Sequence, residues 1–318
     1  MQRPTVDEPL VRALLREQHP ELAELGLHRV PGGWDNELWR LGDELAVRLP
    51  LTPRAPELLR KEQRWLPLLA PGLPLPVPVP VRTGAPSRRF PRPWSVAMWV
   101  PGEPADRAGI GHGHEAADAL ALFLGALHRN APADAPVSGN RGVALGALAP
   151  EFDEKFAAVE VSGSLGDGVR AVWDEAVAAP QWRGAPVWIH GDLHPANVVV
   201  SDGSLSGVID FGELCAGDPA TDLAAAWVLL PGDAAARFLD AYADADEAMV
   251  RRARGWAVLR AVSLIGIGLA WERGLPGGQP TWGRAGTAAL ARITGPPFAQ
   301  KSVPDGLPQR QHLPHDRS

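Results

Sequence analysis

Cysteine and lysine are almost absent from this chain of 318 residues. Cys215 is its one cysteine, which excludes a framework of disulfides within the chain. Three lysines stand beside 28 arginines, and no Gly-Lys-Ser or Gly-Lys-Thr triplet occurs, so a Walker-type phosphate loop is excluded. Since no basic residue flanks Cys215, we expect its thiol to be a packing group and not a nucleophile.

Long apolar runs are also missing from the sequence. The longest strongly apolar stretch, Ala261 to Trp271, is shorter than the roughly 20 residues that a membrane-spanning helix needs. Arg260 and Glu272 flank this stretch, so we expect a buried helix there. The opening residues from Met1 to Thr5 lack the apolar core of a signal peptide. We therefore expect a cytoplasmic protein without a membrane segment.

Neither sign of charge dominates the sequence. The net charge is -6, and 45% apolar with 21% charged residues is a composition typical of a globular protein. A mildly acidic balance does not favour a broad surface for nucleic acid. We expect no nucleic-acid partner.

The first hundred residues combine short strand-like runs with helices. Apolar residues at 27–30, 37–41 and 45–49 are separated by turn-forming clusters, which predicts a β-meander. A helical pattern with apolar spacings of three and four residues begins at Pro56. We therefore expect residues 1–100 to form a small, β-rich N-terminal lobe.

The remainder of the chain has mainly helical periodicity. Residues 101–296 are expected to form a larger helical lobe, interrupted by short strands between 187 and 211. Residues 297–318 are polar and without periodicity, which predicts a disordered tail. The fold class expected from these patterns is α+β.

Two carboxylates and an amide lie in the stretch of short strands between 187 and 211, which we call the β insert. Asp192 and Asn197 are five residues apart, and Asp210 follows an apolar strand as the first residue of Asp-Phe-Gly. Phosphoryl transfer requires metal ions bound to the phosphates, a carboxylate beside the attacking hydroxyl, and a fixed arrangement of the reacting groups. This set of side chains supplies those requirements, so the order indicates phosphotransfer chemistry.

The same segments resemble a known family. His190-Gly-Asp-Leu-His-Pro-Ala-Asn197, together with Val208-Ile-Asp-Phe-Gly212, is similar to the aminoglycoside phosphotransferase family of small-molecule relatives of protein kinases. The similarity extends from about residue 30 to about residue 227 and includes Asp218-Pro-Ala-Thr-Asp-Leu-Ala224. It implies a protein-kinase-like fold of two lobes with ATP in the cleft between them.

The resemblance also implies roles for individual residues. Asp192 would be the catalytic base, and Asn197 with Asp210 would hold Mg²⁺. The γ-phosphate of ATP, with GTP as an open alternative, would pass to a hydroxyl of a small molecule such as an aminoglycoside-like antibiotic or a metabolite. Antibiotic resistance is one function that such an activity would serve. The alternative within the same fold is a nucleotide-binding regulatory protein that has lost turnover.

The residues expected to bind the phosphates of the nucleotide differ from the usual kinase pattern. Gly32 and Gly33 occupy the turn that would cover the phosphates, although glycines there also simply make a hairpin. Arg48 stands where kinases carry a lysine, and its expected partner is Glu62 of the following helix. Lys61 is the neighbouring competitor for the phosphates.

Roles are also expected for five further positions. The backbone of Met98, Trp99 and Val100, at the end of a strand, would hydrogen-bond the nucleotide base, as the resemblance implies. Glu213 is a candidate for binding a cationic acceptor, with a solvated loop acid as the alternative. Asp222 is interpreted as the cap of the helix that follows it.

A zinc-dependent hydrolase is the rival chemistry. His190, Asp192 and His194 alternate, so an extended strand would direct all three to one side as metal ligands. The next histidine is His312, far along the chain. Because a hydrolytic centre would need a further ligand, we favour the two histidines as structural hydrogen-bonding groups.

Overall fold

The strand-like runs of the first hundred residues build one antiparallel sheet. In this computed structural model, which describes residues 5–31, 34–243 and 245–295, the sheet has five strands in the order β1-β2-β3-β5-β4. The strands are β1 Leu27–Val30, β2 Asn36–Leu41, β3 Leu45–Pro50, β4 Pro80–Gly84 and β5 Trp94–Met98. The predicted meander is therefore present, and β5 completes the sheet by pairing with β3.

Two helices accompany this sheet. The helix α1, Glu8–Gln18, begins where the side chain of Asp7 accepts a hydrogen bond from the backbone N–H of Leu10. Its apolar face packs with buried side chains of the sheet into one core that includes Leu14, Leu41, Leu49 and Trp94. The helix α2, Ala55–Leu69, follows β3 directly and places Trp65 and Leu66 in the second, larger core.

The β insert, together with residues 103–104 and 215–217, forms two further small sheets. Their strands are β6 Glu103–Pro104, β7 Val187–Ile189, β8 Val198–Ser201, β9 Ser204–Val208 and β10 Cys215–Gly217. One sheet has the order β6-β8-β9, and β7 pairs with β10 in the other. The segment 190–197 joins β7 to β8, and Asp210 follows the end of β9. Because β8 and β9 are antiparallel, residues 190–197 and Asp210 lie at the same end of this pair of strands.

The rest of the described chain is helical, as its periodicity predicts. The helices are α3 Ala105–Ala108, α4 Gly113–Leu127, α5 Ala149–Ala158, α6 Gly163–Ala178, α7 Ala220–Leu223, α8 Ala225–Val228, α9 Ala234–Ala241, α10 Glu247–Glu272 and α11 Trp282–Thr294. Long α10 packs against α6 and α11 and supplies much of the second core.

The apolar stretch around residue 265 lies inside α10. Among the described residues, α10 alone is long and apolar enough to cross a membrane, with a mean hydropathy of 1.3 over its most apolar window. Of that window, 61% is buried within the protein, which fits the core helix expected from the sequence.

The fold class expected from the sequence is confirmed. A β-rich N-terminal part and a helical C-terminal part make an α+β fold with a cleft between them. The boundaries at residues 100 and 296 stay predictions. The predicted tail, 297–318, lies outside the described residues.

Candidate active site

A cleft of about 560 Å³ separates the five-stranded sheet from the helical part. Side chains of β2, β3 and β5 line its upper wall, and the segment 190–197, Asp210 and one face of α10 line its lower wall. Asp192, Asn197 and Asp210 all border this one cleft, so the structure brings together the three residues expected to carry the chemistry.

The loop before β8, residues 190–197, is called the catalytic loop after the predicted base that it carries, and the buried carboxylate of Asp222 holds it. Its Oδ2 accepts from the backbone N–H of His190 at 2.6 Å, and its Oδ1 accepts from that of Gly191 at 2.8 Å. His128 Nε2 lies 3.2 Å from Oδ2. Burial opposes ionisation, but the bonds from His128 and the backbone lower the pKa of Asp222.

The interpretation of Asp222 as a helix cap is wrong. The residue at the N-cap of α7 is Pro219, and Asp222 lies within the helix with its side chain directed at the catalytic loop.

A glycine in the catalytic loop allows this loop to approach the backbone of Glu213 closely. Gly191 has a φ of +79°, and a Cβ there would lie 2.9 Å from the backbone oxygen of Glu213.

Asp192 is surrounded by hydrogen-bond donors. Asn197 Nδ2 donates to its backbone oxygen at 2.9 Å and to Oδ2 at 3.2 Å, and Arg260 Nη1 donates to Oδ1 at 2.5 Å. Arg141 Nη2 lies 3.5 Å from Oδ1, and His194 Nε2 lies 3.6 Å from Oδ2. Burial alone would raise the pKa of Asp192, but these neighbours hold it well below its usual value.

Asn197 and Asp210 present oxygen atoms to the cleft. Because the amide nitrogen of Asn197 donates to Asp192, the amide oxygen is left for another partner. Asp210 has a φ of +63°, which is uncommon for a residue with a side chain, and its carboxylate is 52% exposed. The backbone N–H of Ile209 donates to the carbonyl of Asn197 at 2.9 Å, which fixes the spacing of the two segments.

Arg48 connects the sheet to Asp210. Its guanidinium donates to Glu62 of α2 in the expected ion pair, and Nη2 lies 3.8 Å from Asp210 Oδ1. Although burial opposes the charge on Arg48, the two carboxylates raise its pKa. Glu62 is 1% exposed, and burial raises its pKa to about 7 against the opposing effect of Arg48. Glu62 is therefore the member of the pair that titrates.

The two histidines of the loop do not form a metal site. His190 Nε2 lies 3.0 Å from the carbonyl of Ile209, and its Nδ1 accepts from the N–H of Asp192, so both ring nitrogens are engaged. His194 Nδ1 accepts from the N–H of Ala196. No group of three His, Cys, Asp or Glu side chains close enough for a metal ion occurs in the described ranges. The zinc alternative therefore has no support.

The strand end expected to bind a base lines the cleft. Met98 donates its backbone N–H to Val79 at 2.9 Å, and Trp99 donates its own to Glu44 at 2.7 Å. Of the three predicted residues, Val100 is thus the one whose amide is left to donate to a ligand. Gly32 and Gly33 lie outside the described residues.

Glu213 forms an ion pair with an arginine of the N-terminal part. Its carboxylate accepts from Arg54 Nη1 at 2.7 Å, and Arg54 also bonds to Asp35 at 2.6 Å. Glu213 is 16% exposed and is not part of the wall of the cleft. The role of Glu213 as a substrate ligand stays a prediction, and Arg54 of the N-terminal part pairs with its carboxylate.

Sequence reasoning missed Arg141 and Arg260 beside Asp192. Arg260 is a charged residue inside the mostly apolar helix α10, a signal that could have indicated a functional position. Arg141 lies in an irregular loop with no pattern to single it out. Cys215, in contrast, is buried against Val187 and Ile189, as expected of a packing residue, and burial raises its pKa to about 12.

Comparison with known sequences supports the reading of these segments. A sequence model of the phosphotransferase enzyme family, APH, matches residues 26–262. A homoserine kinase of Phenylobacterium zucineum (strain HLK1) is 33% identical over 138 residues, which are 42% of this chain. The match spans 41% of the length of that kinase.

Solved structures show the same fold. The GDP complex of aminoglycoside 2'-phosphotransferase-IIIa superposes with a TM-score of 0.67 at 20% identity, covering 91% of this chain and 99% of that one. Macrolide 2'-phosphotransferase MphH from Brachybacterium faecium gives a TM-score of 0.56 at 24% identity, covering 92% and 99%. The kinase-like architecture expected from the sequence is thereby confirmed.

Proposed function

Because the chain belongs to the phosphotransferase enzyme family, APH, we propose that it transfers the γ-phosphate of a nucleoside triphosphate to a hydroxyl of a small molecule. The observation that carries this proposal is the convergence of Asp192, Asn197 and Asp210 on one cleft, with Arg48 beside Asp210. These side chains match the needs of phosphoryl transfer, in which positioning and charge stabilisation provide most of the catalysis.

Asp192 is the proposed base. Its depressed pKa keeps it ionised at neutral pH, so it accepts the hydrogen bond of an incoming hydroxyl without first losing a proton of its own. A carboxylate has about four acceptor positions, so the bonds from Arg260 and Asn197 leave room for the acceptor. Those two donors fix the direction of the carboxylate and thereby orient the hydroxyl for in-line attack.

Asn197 and Asp210 would hold Mg²⁺. Their oxygen atoms, an amide and a carboxylate, are the ligand types that this ion prefers, and the exposure of Asp210 leaves it open to the cleft. When bound, the ion neutralises charge on the transferring phosphates. Arg48, on the opposite wall of the cleft, lies 3.8 Å from Asp210 and adds a permanent positive charge for the phosphates, while Glu62 holds its guanidinium in place.

The nucleotide base is proposed to lie beside the strand end formed by residues 98–100. Ala46, Val199 and Ile209 provide apolar walls there, and Val100 provides a backbone donor. Neighbouring structures contain GDP or ATP, and we infer use of either triphosphate by this chain.

The acceptor is proposed to be a small molecule with a free hydroxyl. The names of the relatives refer to homoserine, aminoglycosides or macrolides as substrates. The structural relatives are below 25% identity and support only the fold. These names do not identify the acceptor of this chain.

Product analysis tests the proposed reaction. The protein is incubated with Mg-ATP or Mg-GTP and a panel of hydroxyl compounds, and mass spectrometry identifies any compound that gains a phosphate. We expect nucleoside diphosphate and phosphorylated compound in equal amounts. Nucleotide binding without transfer to any compound would instead favour an idle, regulatory member of the family.

A further inference from the structure

The acceptor end of the cleft is built from α10, α5 and the loop that carries Arg141. Arg260, Ser263 and Ile267 recur along one face of α10, so they line a wall that runs away from Asp192. Lys155 of α5 reaches the same wall and lies 3.0 Å from Ser263 Oγ. Apolar neighbours such as Trp256, Leu259 and Leu264 complete this wall.

Charge is matched differently at the two ends of the cleft. At the nucleotide end each arginine has two carboxylates: Arg48 has Glu62 and Asp210, and Arg54 has Asp35 and Glu213. This arrangement leaves no excess positive charge before phosphates and metal enter.

At the acceptor end two arginines share one carboxylate. Arg260 Nη1 lies 2.5 Å from Asp192 Oδ1, and Arg141 Nη2 lies 3.5 Å from the same atom. A further cation of this end, Lys155, pairs with Glu151 at 2.9 Å. Of Arg260, Lys155 and Arg141, only Arg141 lacks an ion pair of its own, although Glu213 and Glu151 also attract its charge.

Arg141 is held in this position by its surroundings. Its aliphatic part packs against Gly191, its Nη1 donates to the carbonyl of Asn140, and its side chain is 17% exposed. Its Nε is buried and has no hydrogen-bond partner within the described ranges. Burial, followed by repulsion from Arg260, lowers the pKa of Arg141, so a second anion nearby would relieve both costs.

We propose that the acceptor carries an anionic group, a carboxylate or a phosphate, in addition to its hydroxyl, and that Arg141 binds this group. The proposal rests on the phosphotransferase function proposed above. It disfavours polycationic acceptors, because Glu151 and Asp192, the carboxylates of this end, are already paired with Lys155 and Arg260. Asp106, at the edge of the cleft, accepts from Thr281, and its other carboxylate oxygen is buried without a hydrogen-bond partner among the described residues.

The γ-phosphate of the nucleotide is another source of the same anionic chemistry. In that case Arg141 would act on the transferred group and not on the acceptor. Kinetics separates the two sources, since an arginine that binds the acceptor's anion changes the KM of that acceptor alone. An arginine on the γ-phosphate changes kcat for every acceptor.

The first arm of the test compares acceptors with wild-type protein. Matched compounds are L-homoserine and its methyl ester, 3-hydroxybutyrate and its methyl ester, glycerol 3-phosphate and glycerol, and kanamycin as a polycation. We expect transfer to at least one compound that carries an anionic group. Its kcat/KM should be about 10- to 100-fold higher than that of the partner without this group, which corresponds to one charge-assisted hydrogen bond. Transfer to kanamycin, or equal rates for acid and ester, would overturn the inference and leave the proposed function standing.

The second arm uses Arg141→Gln on the acceptor found. The variant should raise the KM of the anionic acceptor by about 10- to 100-fold and leave that of the neutral partner within about twofold. Arg141→Lys, which keeps the charge, should restore part of the affinity and guards against misfolding of the first variant. Arg16→Gln, an exposed arginine of α1, is the matched control for loss of charge.

The remaining outcomes are equally decisive. An equal fall in kcat for acid and ester, with unchanged KM, would assign Arg141 to the γ-phosphate and overturn the inference. Nucleotide binding without phosphorylation of any compound in the panel would count against the proposed function, and the inference would fall with it.

Discussion

Arg48 on β3 donates a hydrogen bond to Glu62 on α2, and the same guanidinium lies 3.8 Å from Asp210. The contact links the sheet, the following helix and the end of β9 at one point. Because Glu62 is almost completely buried, its charge depends on Arg48, and the orientation of Arg48 depends on Glu62 in turn.

The pH dependence of nucleotide use should report this pair. Burial raises the pKa of Glu62 to about 7, so lowering the pH through 7 protonates the carboxyl and releases Arg48. We expect kcat/KM for the nucleotide to fall as the pH drops below about 7. Asp192 does not contribute to this limb, because its pKa lies well below its usual value.

The control for the pH profile is Glu62→Gln. Ionisation of the nucleotide itself is the same for both proteins, so a difference between their profiles belongs to Glu62. The acid limb should flatten in the variant, with low activity throughout. An unchanged limb in Glu62→Gln would assign the titration to another group.

Substitution of Arg48 should weaken nucleotide binding more than substitution of Lys61. Arg48→Ala removes a charge beside Asp210 and is expected to raise the KM for nucleotide by about 10- to 100-fold. Lys61→Ala should change it by less than about threefold. Arg48→Lys keeps a partner for buried Glu62 and separates binding from stability. A larger effect of Lys61→Ala would show that the lysine, and not Arg48, binds the phosphates.

Asp222 should be needed for the shape of the catalytic loop. In Asp222→Asn an NH₂ group must face one of the two backbone N–H groups that the carboxylate accepts, from His190 or Gly191. We expect a loss of about 1.5 to 3 kcal/mol in the free energy of unfolding and a lower kcat. Denaturant unfolding and steady-state kinetics measure the two effects.

The matched control for Asp222 is an exposed aspartate. The carboxylate of Asp233 is 84% exposed and forms an ion pair with His114, so Asp233→Asn should alter stability by at most about 1 kcal/mol. Equal losses in the two variants would contradict the anchoring role of Asp222.

Local patterns in the sequence predict much of this fold. Apolar alternation and helical spacing are set by neighbouring residues, so the meander of 27–50 and helix α2 are found where expected. The spacing of Asp192 and Asn197 within one loop is likewise local. Their approach to Asp210 follows from the pairing of β8 with β9, which the turn at 201–203 indicates.

Other parts of the site depend on contacts between distant residues. Arg260 and Asp192 are 68 residues apart in the sequence, and Arg54 and Glu213 are 159 residues apart. No periodicity in the sequence relates residues at such separations. Asp222 shows a further limit, because its local context favours a helix cap while its tertiary partners belong to the catalytic loop. Such pairings become visible only when packing is known.

The rate of phosphate transfer by Asp192→Asn tests the central claim most directly. Single-turnover transfer from Mg-ATP to an accepted hydroxyl compound is measured together with nucleotide affinity on the same samples. We expect transfer to fall by about 10²- to 10⁴-fold, the contribution of a general base, with nucleotide affinity changed by less than about threefold. Transfer at the wild-type rate by Asp192→Asn would contradict the assignment of Asp192 as the base and, with it, this account of the site.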